Sequence, residues 1–440
     1  MSGTGPAEPG SWFGQPRGLT ILFLTNMWEQ FSYFGMRALL VYYMTKSLLI
    51  EQQAASFLYG TYTAFAYFTP IIGGAIADRW LGKKKAVVIG ASVMALGHFL
   101  MTFEATFYVA LATIALGNGL FLPTLPSQIN DLYHADDPRR PWAYNVYYVG
   151  VNVGGFLAPL VCGTLGEVYG WHYGFAAAGF GMLAGLIIYL AGSRYLPPER
   201  RFEPAAAQTQ RIRSDSRRAY GVLLAIGLAV TVFRGAYEQV GNTVALWADS
   251  GIDRSLGNLT IPMTWFQSLN PLLVIAITPF LLAYWQRRAA AAREHSPLQK
   301  MAIGALIVAG AYLLLAVAAG FAGEGRASWV WLAGFFLVFT VGELFILPNG
   351  LGLFARLAPP RFGATTVAAW YLAIFAGSLA AGLVGTLWSR LGHSAYFLLL
   401  TVIATVAAFL LLLIDRPARA VVAARELEND LDPQAGLRAS

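Results

Sequence analysis

Glu29, Tyr33 and Arg37 stand four residues apart inside an apolar run from Leu19 to Met44. On a helix that spacing lines one face about 11–12 Å long at ~1.5 Å per residue. The run is long enough to cross a bilayer. An ionisable side chain at the centre of a membrane helix costs at least ~2.5–3.5 kcal/mol, so two of them mark a water-filled path or a ligand site.

A carboxylate and a guanidinium so placed suit a small zwitterion. Arg37 can hold a carboxylate through two parallel N–H donors. Glu343 can accept from an ammonium, and Asn152 or Asn270 can accept through its carbonyl without adding net charge. The competing readings are an Arg37 that merely pairs with Glu29, a structural Glu343, asparagines that glue helices together, and Tyr33, Tyr67 and Trp370 as packing. Arg234 lies four residues before Glu238, which predicts an intrahelical ion pair. His98 is isolated from other ionisable residues and reads as a satisfied core histidine, and the single Cys162 reads as a small core residue. No Ser/His/Asp set, metal cluster or phosphate loop stands in the sequence, which argues against an enzyme and against a cofactor.

The elements that must carry these groups are membrane helices. Of the 440 residues 57% are hydrophobic and only 12% charged, with a mean hydropathy of +0.55, whereas a soluble domain carries about 25% charged residues. Apolar runs predict twelve spans: 19–46, 52–78, 84–104, 107–131, 142–168, 172–195, 219–249, 262–286, 298–321, 328–356, 363–388 and 392–415. Residues 1–18 hold Arg17 but no small-residue cleavage site, so the first span reads as an uncleaved membrane helix. Of the 30 Lys and Arg, 24 fall in one alternating set of connectors and termini, four in the other, and Arg37 and Arg234 lie within spans. The 24-residue side, with both termini, is therefore expected to be cytoplasmic. The net charge of +7 thus reports orientation, and no basic, aromatic-rich soluble domain is left over for nucleic acid.

A polar connector at 196–218 splits the spans six and six. It suggests an N-terminal bundle at 1–195, a cytoplasmic linker, a C-terminal bundle at 219–416 and a tail at 417–440. Trp80, Trp142, Trp171, Trp285, Trp329 and Trp388 fall near span ends, where an indole N–H can stay wet. Pro70, Pro123, Pro126, Pro159, Pro271, Pro279 and Pro348 lie inside spans and permit bends.

Two halves of six helices resemble the major facilitator superfamily, whose sites lie between parallel repeats. The connector Gly73-Gly74-Ala75-Ile76-Ala77-Asp78-Arg79 through Lys83-Lys84-Lys85 resembles that superfamily's signature, in which Asp78 and Arg79 would gate by latching helices. Further stretches resemble its proton-dependent oligopeptide transporters: Tyr147 to Gly154, Tyr237-Glu238-Gln239-Val240-Gly241, Gln267-Ser268-Leu269-Asn270-Pro271, and Gly342-Glu343-Leu344 through Pro348, Pro359, Arg361 and Trp370. The resemblance implies an all-α protein of twelve transmembrane helices in two six-helix bundles. It further implies import of di- and tripeptides by alternating access, driven by a proton gradient, in a bacterial inner membrane, by a monomer. Arg37 would face the peptide carboxylate, Asn152, Asn270 and Glu343 its amino terminus, Tyr33, Tyr67 and Trp370 its side chains, and Glu238 would be a protonatable switch.

Three residues depart from that pattern. Asn26 and Gln30 replace a glutamate and the arginine of the family's Glu-x-x-Glu-Arg motif, and Leu122 replaces a lysine. Glu29 survives, so the coupling scheme is expected to be altered, with Arg234 and Glu238 partly substituting for the lost pair. The rival readings are the same fold carrying another small polar or drug-like solute, and a non-transporting peptide sensor.

Overall fold

The computed structural model describes residues 14–133, 137, 139–198, 216–291, 295–357 and 363–431. Most of the expected linker, 199–215, and the end of the tail, 432–440, lie outside the described residues, as does Arg361. Twelve helical segments follow the apolar runs. They are α1 (Arg17–Lys46), α2 (Gln52–Ile76), α3 (Lys83–Leu100), α4 (Phe107–Asp131), α5 (Arg140–Ala158), α6 (Trp171–Gly192), α7 (Ser216–Tyr237) continued by α8 (Thr243–Ser250), α9 (Trp265–Ala290), α10 (Pro297–Ala322), α11 (Trp329–Leu357), α12 (Gly363–Gly385) and α13 (His393–Leu431). Among the described residues nine are long and apolar enough to cross a membrane, and α1, α2 and α3 complete the twelve. Strands are confined to connectors: Ile252–Asp253 pairs in parallel with Ala327–Ser328, and Ser255–Leu256 pairs antiparallel with Leu259–Thr260.

By contacts the chain divides into two compact units, one of residues 1–51, 65–204 and 254–275, the other of 52–64, 205–253 and 276–440. Helices α2 and α9 therefore each change unit part-way along their length. In the first unit α1 packs on α5 and α6, and α3 on α4 and α6. The core is Leu22, Met94, Phe121, Leu125, Ile129, Met182 and their neighbours. Lipid supplies no hydrophobic drive between helices, so close approach and hydrogen bonds must hold them. Ser32 accordingly donates to the Ala178 carbonyl at 2.6 Å, and Asn118 to that of Ala66 at 2.8 Å. At the α3–α4 crossing a Cβ on Gly117 would lie 2.7 Å from the Gly90 carbonyl oxygen.

In the second unit α10 packs on α11 and α13, and α7 on α12 and α13. The seventh span, read from the sequence as continuous, is broken. A 3₁₀ turn, Glu238–Gly241, separates α7 from α8. Side-chain amides repair the break, as buried backbone at membrane depth requires. Gln239 donates to the Gly235 and Ala381 carbonyls at 3.0 and 2.8 Å and accepts from Thr243 at 3.0 Å. Asn242 accepts from Ser56 at 2.9 Å.

Two smaller expectations need correcting. His98 is fully buried, but among the described residues neither ring nitrogen has a hydrogen-bond partner, so it is a core histidine without being a satisfied one there. Trp388 is buried and stacked on His393, while Trp80 and Trp142 are exposed as interfacial indoles should be. Cys162 is fully buried beside Gly35, where a Cβ would come within 2.6 Å of its sulfur.

Overpacking a tight crossing costs about 1–3 kcal/mol. Gly117→Val should therefore lower the melting temperature in detergent and reduce the monodisperse yield, while Ser92→Ala, on an exposed face of α3, should change neither.

Candidate functional site

In the first unit Glu29, Tyr33 and Arg37 rise along α1 as their spacing requires, with Glu29 buried and Tyr33 and Arg37 half-buried. Glu29 accepts a hydrogen bond from Gln30 at 2.7 Å and makes no ion pair among the described residues. Arg37 is therefore not its partner, and the structural reading of that pair falls. The amide of Gln30 stands next to the carboxylate, supplying donors without charge. Asn26 donates to the Tyr147 carbonyl at 3.2 Å, tying α1 to α5.

Asn152 on α5 donates to the Tyr148 carbonyl of its own helix at 2.9 Å. Its carbonyl oxygen has no protein partner among the described residues, which leaves the acceptor that an ammonium needs. Gln267 on α9 donates to the Ala38 carbonyl at 3.3 Å, next to Arg37, and Asn270 lies half-buried one turn further along. Tyr67 is half-buried on α2.

The loop before α9 is anchored by a residue that the sequence did not single out. The Glu167 carboxylate accepts from the backbone amides of Met263 and Thr264 at 3.0 and 2.9 Å and from the Thr264 hydroxyl at 2.5 Å, with Arg254 at 3.9 Å. Glu167 sits in one of two π-helical turns that continue α5 after Pro159.

The second unit gathers four chemistry-bearing groups. Arg234 and Glu238 form the intrahelical ion pair that their spacing predicts, both buried. Between them, the Tyr237 hydroxyl donates to Glu343 at 2.6 Å, and its ring lies 5.2 Å beneath the Arg234 guanidinium and 5.4 Å from Phe339. Tyr237 was legible only as part of a motif, although Arg234 and Tyr237 share a face by their spacing of three. Gly377 on α12 makes room for the arginine: a Cβ there would come within 2.5 Å of the Arg234 Cβ. Trp370 is buried against Gly350, whose Cβ would strike the indole at 2.3 Å.

Asp78 and Arg79 are exposed and make no ion pair among the described residues. Beside them Lys83 is bonded to Asp131 at 2.6 Å, joining α3 to α4, and Lys84 donates to the Leu196 carbonyl at 3.3 Å. Among the described residues no cluster of His, Cys, Asp and Glu could hold a metal ion.

Buried ion pairs and hydrogen-bonded carboxylates on helices of membrane-crossing length define a polytopic membrane transporter, because charge kept at that depth is the mark of a solute path. The POT family model matches residues 84–212 and 202–393, and the chain belongs to that family. It is 32% identical to an uncharacterized transporter, YclF, of Bacillus subtilis (strain 168), over 92% of this chain and 94% of that protein. It is 28% identical to a di-/tripeptide transporter of Lactococcus lactis subsp. cremoris, over 92% and 96%. A crystal structure of a peptide transporter POT in complex with sulfate superposes with a TM-score of 0.87 at 28% identity, covering 94% of this chain and 97% of that one. The fold is accordingly the major facilitator type, twelve transmembrane helices in two six-helix bundles, and the chain is a transporter, not an enzyme.

Glu167→Ala would leave two backbone amides without their acceptor, at about 1–3 kcal/mol each. The variant should melt at lower temperature and be cut faster by trypsin at Arg254, with Glu167→Gln in between.

Proposed function

We propose that the chain imports di- and tripeptides by alternating access. The observation that carries this reading is the Tyr237–Glu343 hydrogen bond set beside the buried Arg234–Glu238 pair. A carboxylate held by a neutral hydroxyl can exchange that donor for the stronger, charge-assisted bond of a peptide ammonium. Arg37 then receives the peptide carboxylate, the open carbonyl of Asn152 and the amide of Asn270 satisfy the amino end, and Tyr33, Tyr67 and Trp370 border the side chains. Recognition of shared ends between aromatic walls tolerates many side chains. The POT family membership and the relatives described as di-/tripeptide transporters support this substrate class.

Coupling to protons runs through a reduced set. With Asn26, Gln30 and Leu122 in place of ionisable groups, the N-terminal half keeps Glu29 as its titratable site, held by the Gln30 amide. Protonation of Glu238 would release the Arg234 guanidinium to seek another partner, turning proton uptake into movement of α7. Energy comes from the proton gradient alone, with no cofactor. The protein acts as a monomer in the cytoplasmic membrane, both termini inside, with functional halves at 1–195 and 219–416 joined by the 196–218 linker. Asp78 and Arg79 are assigned to a gate that engages in another conformation of the cycle.

A second reading, weak coupling with partial passive equilibration, is favoured by the neutral Gln30 amide on Glu29. Uptake into proteoliposomes separates the two. Labelled dipeptide should accumulate above its outside concentration under an inward proton gradient and drain when a protonophore is added, with free amino acids failing to compete. Equilibration without accumulation would establish the passive reading, and transport of a non-peptide solute in place of peptides would overturn both.

Two variants test the residues. Arg37→Lys loses the two-pronged carboxylate contact, and charged hydrogen bonds contribute about 1.5–3 kcal/mol, so KM should rise roughly 10- to 100-fold. Arg234→Ala should flatten the pH dependence of uptake while leaving dipeptide exchange measurable; an unchanged pH profile would remove Arg234 and Glu238 from coupling.

A further inference from the structure

The geometry points to a binding site for the headgroup of an anionic phospholipid at the start of α3, apart from the groups assigned to peptide. A cavity of about 620 Å³ opens there, bordered among the described residues by Arg79, Lys83, Lys84 and Lys85 and by two carboxylates, Asp78 and Asp131. Asp131 is already neutralised by Lys83. Arg79 and Lys85 are exposed and make no ion pair among the described residues, so two cations face the cavity mouth against one carboxylate, Asp78.

A soluble phosphate would need no more than this. What selects a lipid is the surface that continues from the cavity. Lys85, Ile89, Ser92 and Leu96 are exposed and follow one face of α3 at spacings of four, three and four. They descend about 16 Å at ~1.5 Å per residue, the scale of an acyl chain. Ser92 turns its hydroxyl back to the Val88 carbonyl at 2.8 Å, which leaves the stripe apolar. Trp80, 75% exposed, stands at the rim, where an indole settles between headgroups and chains. Cationic mouth, interfacial indole and apolar stripe come in the order in which a phospholipid presents its phosphodiester, glycerol and tails. Basic pockets between membrane helices take such headgroups, each cation contributing about 1 kcal/mol near an anionic surface. Among the described lining residues Asp78 is the carboxylate left to oppose an anion, and this gives the site a signature of its own.

Native mass spectrometry of the full-length protein, exchanged into matched mixtures of phosphatidylglycerol and phosphatidylcholine, tests the assignment. Phosphatidylglycerol should be retained in preference. Lys85→Gln should weaken its retention roughly fivefold, the loss of one surface cation, Trp80→Ala should weaken it too, and Asp78→Asn should strengthen it. The opposite signs expected of Lys85→Gln and Asp78→Asn keep the test valid even where one variant folds poorly. Equal retention of the two lipids, variants indistinguishable from the parent, or complete displacement of phosphatidylglycerol by millimolar inorganic phosphate would overturn it; the last would mark a soluble-anion site.

Discussion

The Arg234–Glu238 ion pair is the interaction on which the second unit turns. Two charges taken from water repay their desolvation only with close geometry and further partners, and here an aromatic ring and a second carboxylate stand beside the pair. Tyr237 lies between them and carries the network to Glu343. Phe339 stacks beneath the ring, and the missing side chain at Gly377 lets α12 close over the arginine. Losing one member strands the others in a low-dielectric interior, so the set behaves as a unit.

The first unit solves the same problem with fewer charges. Glu29 is buried but is met by an amide in place of a cation, and Asn26 spends its donor on a backbone carbonyl of α5. These neutral substitutes keep α1 packed without fixing charge around Glu29. The two carboxylates are met differently: Glu238 by a buried cation on α7, Glu29 by a neutral amide on α1.

Much of this was legible in the sequence, and the reasons are physical. Twenty-residue apolar runs can only be spans, so the twelve helices and their approximate limits followed from length alone. The Arg234–Glu238 pair followed from a spacing of four, which is a local property of a helix. Contacts distant along the chain were not legible. Glu167 binds amides almost a hundred positions away, through backbone groups that carry no sequence signal. Gly377 looks like any other membrane glycine until the arginine is seen to need its space. The break at Glu238–Gly241 was hidden because the run from 219 to 249 is apolar enough overall to read as one span, with no proline to mark an interruption. The partners of Asp78 and Arg79 were not legible either: a signature of charges at a connector says nothing of what they face, and here both are exposed.

That break has a mechanical consequence. Gln239 and Asn242 fasten the start of α8 to α12 and to the first turns of α2. On the other side of the 3₁₀ turn α7 has ties of its own, Thr231 donating to the Ala373 carbonyl at 3.1 Å and Tyr312 to the Ala236 carbonyl at 2.6 Å. Glu238 therefore lies at the joint between two separately fastened segments, where any change in its pairing falls on the interruption of the span.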